Sequence, residues 1–301
     1  MSIHENPRLL VTGANGNLGR ATVKNLLLAG ATNVVAGSRN TDLISDLASA
    51  GANTTTLDFH NPGSLSASFR GIDRALIISL DARQGSPEER VRSQLSAVEA
   101  AAAAKVRRIV YTSMHKPEPG ALLAVAATHY QTEQAIEQSG IPFSILRVNS
   151  YADNVFYWLP PVLASGRWVT AAGNGRTAYI DRLDVARVAA AALTGADELG
   201  CLNISGPEAL SASDLVSLVK EVFDMSVDLI HVTDEERESG LIAAGVPSPI
   251  AKNLAALDAT IRDGAFDTAN DTVLRLTGTP PRTFAEFLRA NRGALLNAAK
   301  R

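Results

Sequence analysis

Along the first half of the chain, short β-branched apolar runs alternate with longer stretches whose apolar positions recur at helical spacing. Residues 9–12, 33–36, 54–57, 75–79, 108–112 and 143–147 predict strands of a buried sheet. Residues 18–29, 41–50, 63–69, 87–105 and 121–139 predict the helices between them. Gly30, Gly51 and Gly140 follow three of these helices, and Pro142 follows the last stop. Strand and helix in strict succession predict parallel strands joined by right-handed crossovers, because each crossover helix covers a sheet face.

After about residue 150 the rhythm changes. Residues 151–159 predict an aromatic-rich helix that Pro160 and Pro161 punctuate, and residues 166–175 a short strand running into a glycine-containing loop. Residues 181–193 predict a helix and 200–204 a strand that rejoins the sheet. From Ser211 onward three or four amphipathic segments follow with few strand signals, and a Thr-Pro-Pro-Arg-Thr stretch, 279–283, introduces a last helix from Phe284. The expected fold is α/β: a Rossmann-type doubly wound parallel sheet with a smaller, mostly helical C-terminal lobe. Residues 1–150, with 178–205 returning to them, form the expected nucleotide-binding domain, and 151–177 with 206–301 the substrate-binding lobe.

Composition narrows the functional classes. Of 301 residues 46% are apolar and 20% charged, the balance of a globular protein, and a net charge of −3 gives no general attraction to nucleic acid. The single cysteine, Cys201, excludes an internal disulfide framework and a multi-cysteine metal site, so no metal is expected. It lies in a predicted strand and is read as a small buried apolar residue. The opening MSIHENPR lacks the apolar core of a signal peptide, and no stretch has the length of a membrane span, so a cytoplasmic setting is expected.

The most informative stretch is VTGANGNLGR, residues 11–20, in which Gly13, Gly16 and Gly19 follow an apolar run directly. Glycines in the first strand-to-helix turn let a pyrophosphate approach exposed N–H groups where the helix dipole favours negative charge. The spacing G-x-x-G-x-x-G is one residue longer in its first gap than the commonest fingerprint, and alone it suits an ordinary tight turn as well. Its place after the first strand and before a helix makes Thr12, Gly13, Ala14, Asn15, Gly16, Asn17 and Leu18 the expected dinucleotide seat. About 20 residues on, where an NAD site presents an acid to the ribose, the chain reads Gly37-Ser38-Arg39-Asn40. An arginine there pairs with a 2′-phosphate, so NADP(H) is expected over NAD(H), although an ordinary solvated arginine fits the same position. Asp58, after the third strand, suits the adenine amino group or the start of the next helix equally. Ser79, ending the fourth strand, lies where the nicotinamide half should pass, and Met114 and His115 end the fifth beside it.

Short-chain dehydrogenases that interconvert alcohols and ketones present Tyr-x-x-x-Lys on the helix after the fifth strand, where the ammonium lowers the phenol's pKa. Here Tyr130 is followed four residues later by Gln134, and no lysine occurs between Lys116 and Lys220. Ordinary alcohol oxidation is therefore disfavoured, and Tyr130 suits a packing role better than a catalytic one.

Taken together, TGANGNLG, AGSRN, LIIS, RIVYTS, THYQTEQAIEQSGIPFSILR, YADN, AAGNGRTAYIDRLDVARVAAAAL, LNISGPEALS and GVPSPIAKNLAALDATIRDGAFD resemble the NmrA-like atypical short-chain dehydrogenase/reductases. The match runs nearly end to end, and within that family is most like bacterial NAD(P)H-dependent quinone oxidoreductases and triphenylmethane reductase. The resemblance implies NADPH held by residues 12–17, Arg39 and Ser79, with contributions from the 147–151 loop and Arg182. Relatives read Arg-Asn where this chain has Arg147-Val148, so the asparagine contact is lost or passes to Asn149. His129 and Glu133 match a His-x-x-x-Glu helix pattern in place of the tyrosine–lysine pair, with a hydrogen-bonding role at least as fitting as catalysis.

Quinones and cationic dyes are already electrophilic, so hydride transfer to them needs positioning and exclusion of water more than a strong acid. The expected pocket is flat and apolar, with Met114, His115, Tyr151, Asn154 and Trp158 as its residues. Phe156, Tyr157, Trp168 and Tyr179 are further aromatic candidates, Phe156 and Trp168 better read as core. His115, Tyr130 and Tyr151 are the weak candidates for catalysis. The expected partner is a small aromatic or conjugated acceptor, and a homodimer is compatible with the chain. Two alternatives stand beside the reductase: an NADP-sensing regulator without turnover, like the family's name-giving member, and a tailoring enzyme acting on an imine or enone.

Overall fold

The computed structural model describes residues 6–81, 85–195 and 198–300. The first half runs β1 (Leu9–Val11), α1 (Asn17–Leu28), β2 (Val34–Ser38), a 3₁₀ turn (Thr41–Ile44) into the short α2 (Ser45–Ser49), and β3 (Asn53–Thr56). It continues with α3 (Pro62–Phe69), β4 (Arg74–Ile78), α4 (Pro87–Ala103), β5 (Arg108–Met114), α5 (Ala124–Gln138) and β6 (Phe143–Val148). A 3₁₀ turn then leads to α6 (Val155–Ser165), β7 (Arg167–Thr170), β8 (Arg176–Thr177), α7 (Arg182–Thr194) and β9 (Gly200–Ile204). Last come β10 (Leu210–Ser211), α8 (Ala212–Phe223), β11 (Asp228–His231), α9 (Asp234–Ala243), α10 (Ser248–Arg262), α11 (Thr272–Thr277) and α12 (Phe284–Ala299).

Seven parallel strands form the central sheet in the order β3-β2-β1-β4-β5-β6-β9. Strand order reverses between β1 and β4, and ligands of such sheets sit beyond the carboxyl ends at that reversal. The alternation of strand side chains sorts the core into two layers. Leu9 and Val11 pack with Val23, Val185 and Val188 of α1 and α7, whereas Leu10 packs with Leu65, Phe69, Val98 and Ile136 of α3, α4 and α5. A third cluster, including Leu159, Leu215, Val219, Phe287 and Leu295, joins α6, α8 and α12 outside the sheet.

Four expectations are corrected. Pro160 and Pro161 lie inside α6 rather than ending it. The carbonyls they leave without a partner belong to Phe156 and Tyr157, which are exposed, so water can serve them; Gly166, at φ 68°, stops the helix instead. Among the described residues the second lobe holds six helices and also a strand, β11, which pairs in parallel with β7. Its four residues carry only two apolar positions, both half-buried, too little for a periodic signal. The predicted helix at 41–50 is a 3₁₀ turn followed by one short α segment. Cys201 is exposed, because β9 is the edge strand and buries only Ile204 fully.

The helix α5 is tied to the sheet by polar side chains. Glu133, 1% exposed, takes the Arg147 guanidinium of β6 through Nη2–H···Oε2 at 2.6 Å and Nε–H···Oε1 at 3.2 Å. Arg147 also donates to Glu118 at 2.9 Å. His129 Nδ1 and the Tyr111 hydroxyl stand 3.0 Å apart, and burial, followed by the charge of Arg90, pushes the imidazole pKa down to about 4. The His-x-x-x-Glu pair thus fastens α5 to β5 and β6.

Glu133→Gln leaves half of a buried ion pair behind and should cost about 2–3 kcal/mol, less than for a wholly buried pair because Glu118 keeps its hold on Arg147. Urea unfolding checks this, and an unchanged midpoint would count against it. The imidazole of His129 is neutral in the fold but titrates at its ordinary 6.5 when unfolded, so the unfolded chain binds the extra proton between pH 6.5 and about 4. Its contribution is therefore complete above pH 6.5 and disappears as pH falls towards 4, amounting to at most about 3 kcal/mol. Urea midpoints of His129→Gln should fall less steeply than wild type across that window.

Candidate functional site

At the end of β1 the backbone N–H of Thr12 donates to Leu76 O at 3.0 Å, and its Oγ1 accepts from Ile78 N at 2.9 Å, which pins the glycine turn to β4. Gly13 adopts a φ of +62°, open to few other residues. A Cβ on Gly19 would stand 2.4 Å from Gly13 O and 2.9 Å from Ala14 Cα, so only glycine lets α1 start this close to the strand. Gly16 is the N-cap of α1; no side chain caps the helix and no acid lies in its first turn. Thr12, Ala14 and Leu18 are buried and shape the turn, whereas Gly13, Asn15, Gly16 and Asn17 are exposed on it. Uncapped N–H groups in a turn free of side-chain bulk fit the pyrophosphate of a dinucleotide.

Beyond β2, Ser38 Oγ donates to Asn40 O at 2.8 Å, and Asn40 Oδ1 receives Asp42 N at 2.9 Å. Between them Arg39 is exposed, and among the described residues no carboxylate pairs with it. Asp58 does not start α3; Asn61 caps that helix, and Asp58 Oδ1 accepts from His60 N at 3.0 Å one turn earlier. Ser79 is half-buried where β4 and β5 end, its backbone N–H donating to Thr112 Oγ1 at 2.9 Å.

Asn149 is buried and engaged at both ends, its amide donating to Phe266 O at 3.1 Å and its carbonyl accepting from Ser150 N at 2.7 Å. Val148 beside it is buried too. Arg182 donates to Asp153 at 3.0 Å and lies 4.9 Å over the Tyr151 ring. Burial pushes the Tyr151 phenol up to about 12, so it stays protonated near neutrality. Tyr130 borders a cavity of about 150 Å³ lined by the 117–121 loop, and Gln134 turns to Glu137 at 3.0 Å.

A larger cavity, about 230 Å³, opens at the carboxyl end of β5. Met114, His115 and Lys116 line it from the strand end, Leu122 and Leu123 from the segment before α5, and Thr260, Asp263 and Ala265 from the end of α10. His115 is 3% exposed, and neither ring nitrogen has a hydrogen-bond partner among the described residues. Burial first, and then the neighbouring Lys116 charge, lowers its pKa. Of the expected pocket residues, Met114 and His115 line this cavity, while Tyr151, Asn154 and Trp158 do not. Trp158 stacks on Trp168 at 4.8 Å and Tyr179 on Phe284 at 4.6 Å in the second lobe's core; Phe156 and Tyr157 are exposed on α6. Asn154 closes the 3₁₀ turn before α6. The α10 lining escaped sequence reading because it comes from over 140 positions away in the chain, where no local pattern points to the strand end.

Residues 13–196 match the model of a family described as NAD(P)H-binding. Quinone oxidoreductase 2 of Escherichia coli is 28% identical over 281 residues, covering 92% of this chain and 96% of that protein. The crystal structure of that NADPH-dependent enzyme complexed with NADPH superposes with a TM-score of 0.86 at 27% identity, over 94% of this chain and 99% of its own. Citrobacter sp. triphenylmethane reductase complexed with NADP(H) superposes with a TM-score of 0.83 at 28% identity, over 97% and 99%. A Streptomyces griseus (4-alkanoyl-5-oxo-2,5-dihydrofuran-3-yl)methyl phosphate reductase is 30% identical over 281 residues, 93% of this chain and 96% of that one. With the glycine turn inside the matched span and 94% of the chain superposed, the chain belongs to the NAD(P)H-binding family, on its NmrA-like, atypical short-chain dehydrogenase/reductase side.

Proposed function

We propose that this protein binds NADPH in preference to NADH and reduces a quinone, dye or related conjugated electrophile. The observation that carries the reading is the uncapped start of α1 behind a turn that excludes side chains, with an arginine just past β2 that no carboxylate pairs among the described residues. Gly13, Asn15, Gly16 and Asn17 would hold the pyrophosphate, with Thr12, Ala14 and Leu18 fixing the turn, and Arg39 the 2′-phosphate. The second carboxylate oxygen of Asp58 suits the adenine amino group, and Ser79 borders the nicotinamide end. Asn149 and Arg182 act on the site through the loops they fasten, since their polar groups are already engaged.

When bound, the reduced nicotinamide supplies a hydride. The chain's own contribution is to seat a flat acceptor in the β5 cavity, with Met114, Leu122 and Leu123 as apolar walls, and to keep water from the reacting carbon. Neither Tyr130 nor Tyr151 supports acid–base catalysis of the alcohol-dehydrogenase type, because no ammonium stands in register with the first and burial keeps the second protonated. The acceptors named for relatives, quinones, triphenylmethane dyes and an oxo-dihydrofuran, are conjugated electrophiles. The cavity also favours turnover over sensing, since a cofactor sensor needs the phosphate seat alone. No helix among the described residues is long and apolar enough to cross a membrane, and a cytoplasmic setting accords with the chain.

Arg39→Asp should raise the KM for NADPH about tenfold or more, by loss of a charge-assisted pair, while leaving NADH use unchanged or improved. Equal affinity of the wild type for the two cofactors in fluorescence titrations would reject the NADPH preference. NADPH oxidation with a panel of quinones, triphenylmethane dyes and enones should show saturable turnover. Tight NADPH binding without turnover on any of them would instead establish a regulator.

A further inference from the structure

We infer that the His115 side chain is the hydrogen-bond donor that receives the acceptor's carbonyl oxygen, which makes quinones and enones, rather than carbocationic dyes, the acceptors this residue serves. The inference rests on the reductase reading above and names the chemistry of the same cavity.

The His115 imidazole is buried on the wall of the β5 cavity, yet neither nitrogen meets hydrogen-bond geometry with any of the described residues. Buried polar atoms are almost always satisfied, so a ring left this way is set for a group that arrives later. The Asn203 amide of β9 stands beside it without meeting hydrogen-bond geometry. The backbone around it is fixed: His115 N donates to Val148 O at 2.9 Å. The next residue, Lys116, is a non-glycine held at a φ of 47°, and its ammonium reaches across to Gly264 O at 3.3 Å. Strain of this kind persists only where surrounding structure enforces it. The ionisable groups facing the ring are Lys116, Glu118 and Arg147, and Arg147 is already shared between Glu118 and Glu133.

With its pKa lowered, the ring is neutral near pH 7, so one nitrogen carries a proton and can donate without ionising. When hydride adds to a quinone or enone, the carbonyl π pair moves onto oxygen and an oxyanion forms. A preorganised N–H at that oxygen stabilises the developing charge, and the reduced product takes its proton from water. Hydride addition to a triarylmethyl cation forms a neutral C–H bond and leaves no oxyanion. A donor in the cavity has nothing to stabilise in that reaction.

His115→Phe should lower kcat/KM for a naphthoquinone by about 10²–10³-fold, mostly through kcat, and change reduction of a triarylmethyl cation by less than about threefold. His115→Asn, which retains a donor, should recover part of the loss. A second measurement needs no turnover: binding of pentafluorophenolate, an oxyanion at neutral pH, should weaken at least about tenfold in His115→Phe by calorimetry. Unchanged naphthoquinone reduction, equal losses on both acceptors, or unchanged phenolate binding would each overturn the assignment. A dye that the wild type does not reduce leaves the quinone and phenolate measurements to decide. Wild-type protein that turns over no acceptor overturns the reductase reading instead, and phenolate binding then judges the His115 donor alone.

Discussion

The close approach of α1 to the end of β1 is the constraint on which the rest of the site depends. With no Cβ at Gly19, the helix begins against the Gly13 carbonyl, and its first N–H groups lie beside the reversal of strand order. Any larger residue would push helix and strand apart by more than the neighbouring backbone can absorb, since the atoms in the way are main-chain. The turn is also held sideways: Thr12 bonds β4 twice, and Ala14 N donates to Gly37 O of β2 at 2.9 Å. Three strands thereby share the positioning of one turn, which makes the proposed anion seat a property of the sheet rather than of a flexible loop.

A second tier of polar contacts does for β5 what the glycines do for β1. Gln94 of α4 receives Leu80 N at 3.0 Å and donates to Thr132 of α5 at 2.9 Å, while His129 and Glu133 on the same helix hold Tyr111 and Arg147. Each of these groups is paired, and all but Arg147 and Leu80 are buried, so the layer fixes the register of α4 and α5 against the sheet. The carboxyl ends of β4 and β5 are the strand ends that this layer steadies, and Ser79, Met114 and His115 lie there.

The alternating first half of the chain was legible because buried parallel strands are short apolar runs and their crossover helices have clear glycine stops. Strand 200–204 was found at its observed bounds, and the other six strands of the sheet within two residues. The places of the glycine turn and of Arg39 in the fold were legible for a related reason: both belong to the first strand–helix–strand unit, where position along the chain fixes position in space. What could not be read came from contacts between distant segments. Tyr151 and Trp158 follow the sixth strand and looked like pocket residues, but Arg182 covers one ring and Trp168 the other. The cavity is lined on one side by Thr260 and Ala265, and the carbonyl of their neighbour Phe266 accepts from the Asn149 amide just past β6 and from Ala178 N just past β8. Cys201 was misjudged because alternation reports a strand but not whether another strand covers its edge.

The missing lysine after Tyr130 has a physical counterpart at the strand end. A phenol needs a nearby cation to become a useful acid near neutrality, and on α5 that position holds Gln134, which bonds Glu137 instead. A neutral imidazole carries a donor N–H without any such help, and desolvation, which weakens a phenol as an acid, only keeps the imidazole uncharged. The same burial that disqualifies Tyr111 and Tyr151 as acids therefore suits His115 as a donor. Conversion from alcohol chemistry to reduction of electrophiles thus needs no new catalytic base. It needs a helix relieved of its cation and a strand end that presents an unpaired ring to the cavity.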